Sequence, residues 1–347
     1  MKPVLFVTGH VPASRVGAFA ALHARTPIEL ALFGGRHIHA AAPVEPPAGL
    51  PARHVAQREL GALVASGRYR AVIVGTGGRV ALPLAWRAAR RSGVPFIFWA
   101  ALWRTPRTAA HVAALPLMRR IYRSADAVVT YGPHVSAYVA GHGAQRIFVA
   151  PQAVDNAFWG AAASPAAAAS FAVLFVGRAD RAKGLGVLLD AWRLAGFGVG
   201  EATLTVVGAG VEGGPGVRAV GQLDAVGLRD FYAACDVLVI PSIRTRRFLE
   251  PWGLVVNEAM NQRAAIIASD AVGAATGGLV RHERNGLIVP ASDPQALAGA
   301  LRALAGDRAR CLALGTAGRA DVAAYTYDRW ADGFVDALDA SAGSVAL

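Results

Sequence analysis

Val173-Leu174-Phe175-Val176-Gly177-Arg178-Ala179-Asp180-Arg181-Ala182-Lys183-Gly184 runs from an unbroken apolar stretch into a glycine-marked turn and leaves it at a second glycine. An apolar run this short reads as a strand over Ala172–Val176 covered on both faces, with a helix expected near Gly184–Leu194. Arg178 and Lys183 then flank a strand-loop-helix junction at the ligand end of a parallel sheet. That position suits a pyrophosphate: one cation can hold each phosphate, and the helix terminus adds its dipole. Two surface cations on a loop are the plain alternative. The lysine count favours the clamp. The chain carries 35 Lys+Arg, yet Lys2 and Lys183 are its only lysines. A bias this strong toward arginine would replace a lysine needed only for charge, so Lys183 is read as a compact ammonium serving as a point charge for phosphate.

Outward from this junction, short β-rich runs alternate with alanine-rich helical stretches. In the second half strands are expected at Thr203–Val207, Val237–Ile240, Ala265–Ala268 and Leu287–Val289. Helices are expected near Leu228–Ala234, Leu254–Gln262, Pro294–Ala305 and Tyr327–Ala340. In the first half strands are expected at Val4–Val7, Ile28–Phe33, Ala71–Val74, Phe96–Trp99, Ala127–Thr130 and Ile147–Ala150. Helices there fall near Gly17–Arg25, Arg79–Arg91, Leu115–Ser124 and Val135–Gly141. The stretch Asn156–Ser170 has no periodic pattern, and a new alternation starts after it. At 347 residues the chain exceeds what one core usually serves. The fold class is therefore α/β, with two doubly wound Rossmann-like domains facing across a cleft: residues 1–160 and residues 161–325. A last helix, within residues 326–347 and with Trp330, Phe334 and Leu338 at helical spacing, can pack back on the first domain.

The segment Asp236–Asn261 repeats the logic of the first junction. Val237-Leu238-Val239-Ile240 is a strand and Pro241–Leu249 a loop, and Pro251 and Gly253 keep Glu250 outside the following helix. The free backbone N–H groups of Gly253, Leu254 and Val255 suit a phosphate oxygen. Glu258, about one turn inside, can accept from both hydroxyls of a ribose. Glu250, at the mouth, can meet a sugar hydroxyl or stabilise positive charge developing at an anomeric carbon. A capping carboxylate plus a surface salt bridge is the alternative. Gly208-Ala209-Gly210-Val211-Glu212-Gly213 fits Gly-x-Gly-x-x-Gly, but Gly214-Pro215-Gly216 follows it rather than a helix. It reads better as a loop near a nucleotide base, with Gln222 and Leu223 as neighbours.

These motifs together resemble glycosyltransferases of family 4. Glu250 and Glu258 match the family's Glu-x7-Glu signature, and Gly177-Arg178 with Lys183-Gly184 matches its donor-phosphate motif. Phe231-Tyr232-Ala233-Ala234-Cys235-Asp236, Val239-Ile240-Pro241-Ser242, Ala268-Ser269-Asp270 and Asn285-Gly286-Leu287-Ile288-Val289-Pro290 are similar to the segments around them. Ser124–Thr130 and Ala150–Asp155 are looser matches in the first half. The resemblance implies a GT-B fold and retaining transfer of a sugar from a nucleoside diphosphate donor, a UDP- or GDP-sugar. It implies a donor site on Gly177, Arg178, Lys183, Gly208, Leu223, Glu250, Gly253, Leu254, Val255 and Glu258. The acceptor, a carbohydrate, lipid-linked or small molecule, is expected mainly in the first domain. No cofactor or metal is expected: the chain has no Asp-x-Asp, and Arg178 and Lys183 would neutralise the leaving nucleotide, with Glu250 at the reacting centre.

The chain departs from the family pattern in two places. Trp99-Ala100-Ala101-Leu102-Trp103-Arg104 lacks the histidine or carboxylate often found there, so His134, or alternatively His111, becomes the substitute near the reacting sugar. The loop His10–Gly17 lacks paired glycines, but Arg15 and Gly17 can still approach the phosphates. The same fold also serves nucleotide-sugar epimerases and hydrolases, and a non-catalytic nucleotide-sugar-binding subunit is a third reading.

Composition narrows the setting. The net charge of +12 is uneven: residues 1–150 hold 18 Lys/Arg against four acids, and residues 151–347 hold 17 against 19. The first half is thus expected to meet something anionic, such as the inner face of a membrane, or to reflect coding bias alone. Trp103–Arg123 mixes apolar residues with Arg104, Arg107, Arg119, Arg120 and Arg123, as a membrane-surface helix does; a half-buried helix with a basic outer face is the equal alternative. No nucleic-acid-binding signature is present. Two cysteines without Cys-x-x-Cys argue against disulfides and thiolate metal sites. Gly75–Gly78 reads as a turn, and His37-x-His39 is a poor metal candidate. No apolar run is long enough to span a bilayer, and the apolar start is too short for a leader, so a cytoplasmic location is expected.

Overall fold

Val4-Leu5-Phe6-Val7 shows no polar alternation because this strand is buried on both faces. The computed structural model describes residues 1–34, 45–78, 80–163, 170–210 and 212–342. The chain divides into two units, Met1–Ala153 with Thr326–Leu347, and Val154–Tyr325.

Unit 1 begins with β1 (Val4–Thr8), α1 (Val16–Arg25), β2 (Ile28–Leu32), β3 (Ala52–His54), α2 (Leu60–Val64) and β4 (Ala71–Gly75). It continues through α3 (Ala81–Ser92), β5 (Phe96–Ala100), α4 (Ala109–Ser124), β6 (Ala127–Thr130), α5 (Pro133–Gly141) and β7 (Ile147–Val149). The strands form a parallel sheet in the order β3-β2-β1-β4-β5-β6-β7.

Unit 2 holds α6 (Asn156–Trp159), β8 (Phe171–Val176), α7 (Leu185–Ala195), β9 (Ala202–Val207), β10 (Val217–Val220), α8 (Ala225–Ala234) and β11 (Val237–Ile240). Then come α9 (Val255–Asn261), β12 (Ala265–Ser269), α10 (Gly273–Thr276), β13 (Gly286–Val289), α11 (Pro294–Ala305) and α12 (Arg308–Val322). Its sheet is also parallel, in the order β10-β9-β8-β11-β12-β13. The last helix, α13 (Tyr327–Ala342), belongs to unit 1, where it packs on α1 and on the β6 and β7 edge.

Each sheet reverses its strand order once, between β1 and β4 in unit 1 and between β8 and β11 in unit 2. The doubly wound α/β class expected from the strand-helix alternation is the one observed. Such reversals open a crevice at the carboxyl ends of the two inner strands. In unit 1 one face of the sheet is filled by Phe6, Phe19, Trp99, Trp330 and Phe334, with α1 and α13 over it. The other carries Leu5, Trp86, Phe98 and Tyr122. In unit 2 Val173, Phe175, Leu188, Trp192 and Leu301 anchor one face.

The structure departs from the sequence expectations at particular elements. β3 and β10 were not anticipated; both are edge strands with exposed or half-buried residues and no apolar alternation. α12 was also missed. It turns Gly315 and Gly318 inward, and a Cβ at Gly315 would lie 1.9 Å from the Arg263 carbonyl oxygen. Glycine lowers helix propensity, so the residues that let α12 approach so closely also hide it. α4 starts at Ala109 rather than Leu115 and carries Pro116 within it, while Trp103–Arg107 lies outside the helix. The loop after β9 leads into β10 and not into a helix. His37 and His39 lie outside the described residues.

Candidate active site

Two loops at the strand-order reversal of unit 2 build the site. The first follows β8. Gly177 N–H donates to the Val207 carbonyl (3.1 Å), and a Cβ on Gly208 would sit 3.2 Å from the Gly177 oxygen, so these two glycines lie together. The Asp180 side chain accepts from Ala182 N–H (2.9 Å) and closes a 3₁₀ turn over Arg181–Lys183. Gly184 has φ +74°, and a Cβ there would lie 1.8 Å from the Pro241 carbonyl oxygen. No other residue fits this position: the left-handed backbone and the close approach both exclude a side chain.

The second loop follows β11. Ile243 N–H donates to the Ala182 carbonyl (2.9 Å), tying one loop to the other. Arg244 pairs with Asp270 at 2.8 Å, and the Gly273 N–H donates to the Glu250 carbonyl (3.1 Å). Glu250 is thereby fixed with 6% exposure, and its Oε2 lies 2.5 Å from Lys183 Nζ. The ammonium also lies 5.9 Å from the centre of the Phe248 ring. A half-buried ammonium held by a buried carboxylate is fixed in position where the two loops meet. Arg178, half-buried, stands two residues past the end of β8.

Gly253, at φ +94°, and Leu254 lead into α9, whose first residue is Val255. Amides of a first helical turn have no partner within the helix. Glu258 lies on α9, and its Oε2 accepts from the Tyr232 hydroxyl at 2.8 Å. Burial pushes the Glu258 carboxyl up to about 7, with the Tyr232 hydrogen bond acting in the opposite direction. Burial, and then the Glu258 charge, push the Tyr232 hydroxyl well above its ordinary value. Tyr232 itself is fully buried on α8. Leu223 is half-buried and immediately precedes Asp224, which caps α8.

The structure therefore brings Lys183 onto Glu250 and Gly177 against Gly208. Three expected residues lie in the other unit. His134 is buried on α5, edge-on to Trp103 at 5.2 Å. Gly17 faces α13, where a Cβ would lie 2.2 Å from the Tyr327 ring. Arg15 is buried among Trp99 and Trp330. His111 is exposed, and its backbone amide and ring meet the capping Thr108 at the start of α4. Sequence reasoning missed Tyr232 as the partner of Glu258 and Phe248 as the neighbour of Lys183. The signal for Tyr232 was its place in the Phe231–Asp236 run that leads into β11. Among the described residues, no group of three or more His, Cys, Asp or Glu is placed to hold a metal ion. Among them, no helix is long and apolar enough to cross a membrane.

Residues 170–307 match the family described as Glycosyl transferases group 1. A D-inositol 3-phosphate glycosyltransferase of Xylanimonas cellulosilytica is 31% identical over 186 residues, 47% of this chain and 41% of that protein. The chain thus matches about two fifths of that relative's length. Among solved structures, HepE of Anabaena in complex with UDP superposes with a TM-score of 0.78 at 17% identity, covering 97% of this chain and 99% of that one. Sucrose-phosphate synthase of Thermosynechococcus elongatus gives a TM-score of 0.74 at 21% identity, covering 97% and 98%. At these identities the two structures speak for the fold.

Proposed function

We propose that this chain, whose residues 170–307 match glycosyl transferases group 1, is a retaining glycosyltransferase that uses a nucleoside diphosphate sugar and no metal. The observation that carries the reading is the Lys183–Glu250 pair at the strand-order reversal of unit 2, with Gly177, itself against Gly208, beside Lys183. Lys183 and Arg178 offset the charge that grows on the departing diphosphate, a role that divalent metals fill elsewhere. Glu258 accepts from the ribose hydroxyls once it is ionised. Glu250 holds Lys183 in place and faces the sugar, where positive charge develops as the anomeric bond breaks. The UDP bound by HepE makes uridine the first base to test. The acceptor, a carbohydrate or lipid-linked molecule, engages unit 1, with His134 as the candidate residue near it. The exposed Arg119, Arg120 and Arg123 of α4 line a recess of about 450 Å³ with Pro116 and Ser124, and support peripheral contact with an anionic membrane.

The test is thermal unfolding with UDP, GDP, ADP or dTDP, each with and without magnesium. One nucleotide at about 100 times its Kd adds about 2.7 kcal/mol to the folded state. The expected rise is roughly 5–10 °C, independent of magnesium. Lys183→Ala abolishes the rise and lowers turnover about 10²–10³-fold. A panel in which no nucleotide moves the melting curve overturns the reading.

A further inference from the structure

The two oxygens of the Glu258 carboxyl are treated differently by the fold. Oε2 accepts from the Tyr232 hydroxyl at 2.8 Å. Oε1 has no hydrogen-bond partner among the described residues, yet it is not one of their buried unpartnered atoms. It therefore keeps an opening to the surroundings, on a residue that is half-buried. Tyr232 is wholly enclosed. It is 0% exposed and edge-on to the Trp159 ring at 5.8 Å, and its carbonyl accepts from the Cys235 thiol at 3.3 Å.

Packing alone does not call for a tyrosine here. Phenylalanine would fill the same space, and a hydroxyl taken out of water costs stability unless it finds an acceptor. That hydroxyl has one proton to give. Given to Oε2, it makes this oxygen an acceptor, so any proton that the carboxyl takes up sits on Oε1. The open oxygen is then the one whose state changes. Among the described residues, Tyr232 is the one ionisable group found to act on Glu258, and its hydrogen bond favours the carboxylate against the effect of burial. Of the elements packed on α9, α6, β11 and β12 bring no ionisable side chain. Arg229 of α8 bonds the Phe158 carbonyl, and Arg319 and Asp321 of α12 bond Asn261 and Arg284. A carboxylate held at one oxygen cannot swing to make good a missing hydroxyl, so an acceptor left unanswered counts fully against the ligand that lacks it.

We propose that Tyr232 is a positioning residue for the donor's ribose: its hydroxyl holds Glu258 by Oε2, leaves Oε1 to receive the 2′-hydroxyl, and so sets unit 2 to take ribonucleoside diphosphates in preference to their 2′-deoxy forms. This rests on the donor reading of unit 2, in which Glu258 meets the ribose.

The experiment is calorimetric titration of the full chain with UDP and with 2′-deoxy-UDP, or with the matching GDP or ADP pair should the melting panel select that base. The native chain is expected to bind the ribonucleotide about 10–100-fold more tightly at pH 8. Tyr232→Phe keeps the ring and its packing, and brings that ratio below about threefold, chiefly through weaker ribonucleotide binding. In the same variant the rise of ribonucleotide affinity with pH moves to higher pH, because the hydrogen bond that favours the carboxylate is gone. Tyr232→Met, the second variant should Phe not fold, carries the same expectation. A tyrosine that only packs would weaken both ligands alike, so an unchanged ratio or an unchanged pH midpoint in the variant overturns the inference. A native chain that binds both forms equally does the same. Either result, obtained with UDP still bound, leaves the transferase reading standing. If no nucleoside diphosphate binds the chain at all, that reading falls first and takes this one with it.

Discussion

Glu258 is the side chain whose chemistry depends most on its surroundings. Burial lifts its carboxyl to about 7, so the folded protein binds a proton there across a range in which the unfolded chain, near the ordinary value of 4.5, has released it. The folded state therefore loses stability from this group as pH rises from about 4.5 to 7. Glu258→Gln removes that slope and is the more stable protein at pH 8. Donor binding runs the other way, because ribose hydroxyls need the carboxylate. UDP affinity should rise roughly tenfold between pH 6 and pH 8, the change in ionised fraction for a group near 7. Calorimetric titration checks this, and the midpoint must vanish in Glu258→Gln, which separates it from titration of the diphosphate. An identical pH profile in the variant would contradict the assignment. Lys183 was visible in the sequence because lysine is so rare, and Glu250 through its spacing from Glu258. Their pairing was not visible. The two residues are 67 positions apart, and only the adjacency of β8 and β11 brings their loops together.

At the scale of elements, the turn that carries Lys183 is set by Gly184 rather than by the charged residues. Gly184→Ala places a Cβ against the Pro241 carbonyl in a left-handed backbone that costs alanine about 1–2 kcal/mol before any clash. The two loops must then part. The expected result is a fall in melting temperature of roughly 4–8 °C, for a cost of about 2 kcal/mol in a unit of this size, together with a much weaker UDP shift. Circular dichroism melting checks it, and a variant that melts and binds like the native chain would show that the loops have another way to meet. The central strands were legible because full burial leaves an apolar run that no other element produces at that length. β3, β10 and α12 were not legible, for opposite reasons. The edge strands bury too little to show a pattern, whereas α12 buries its backbone so closely that glycine replaces the usual large residues.

For the whole molecule, the uneven charge matters most. Residues 1–150 hold all of the positive excess, and the rest of the chain is slightly acidic. On α3 and α4 it surfaces as exposed Arg87, Arg90, Arg91, Arg119, Arg120 and Arg123. Each basic side chain near an anionic bilayer contributes about 1 kcal/mol, so changing Arg119, Arg120 and Arg123 to Gln should weaken binding to phosphatidylglycerol vesicles roughly a hundredfold. Flotation at low and high salt measures it; equal recovery of native and variant protein would point to coding bias instead. The path of the chain carries a different consequence. Unit 2 lies wholly between residues 153 and 326, while α13 completes unit 1 from beyond it. During synthesis on the ribosome, the stretch begun second has all of its parts first. The stretch begun first must keep Phe6 and Phe19 waiting for Trp330 and Phe334, a long interval in which its open aromatic face needs shielding.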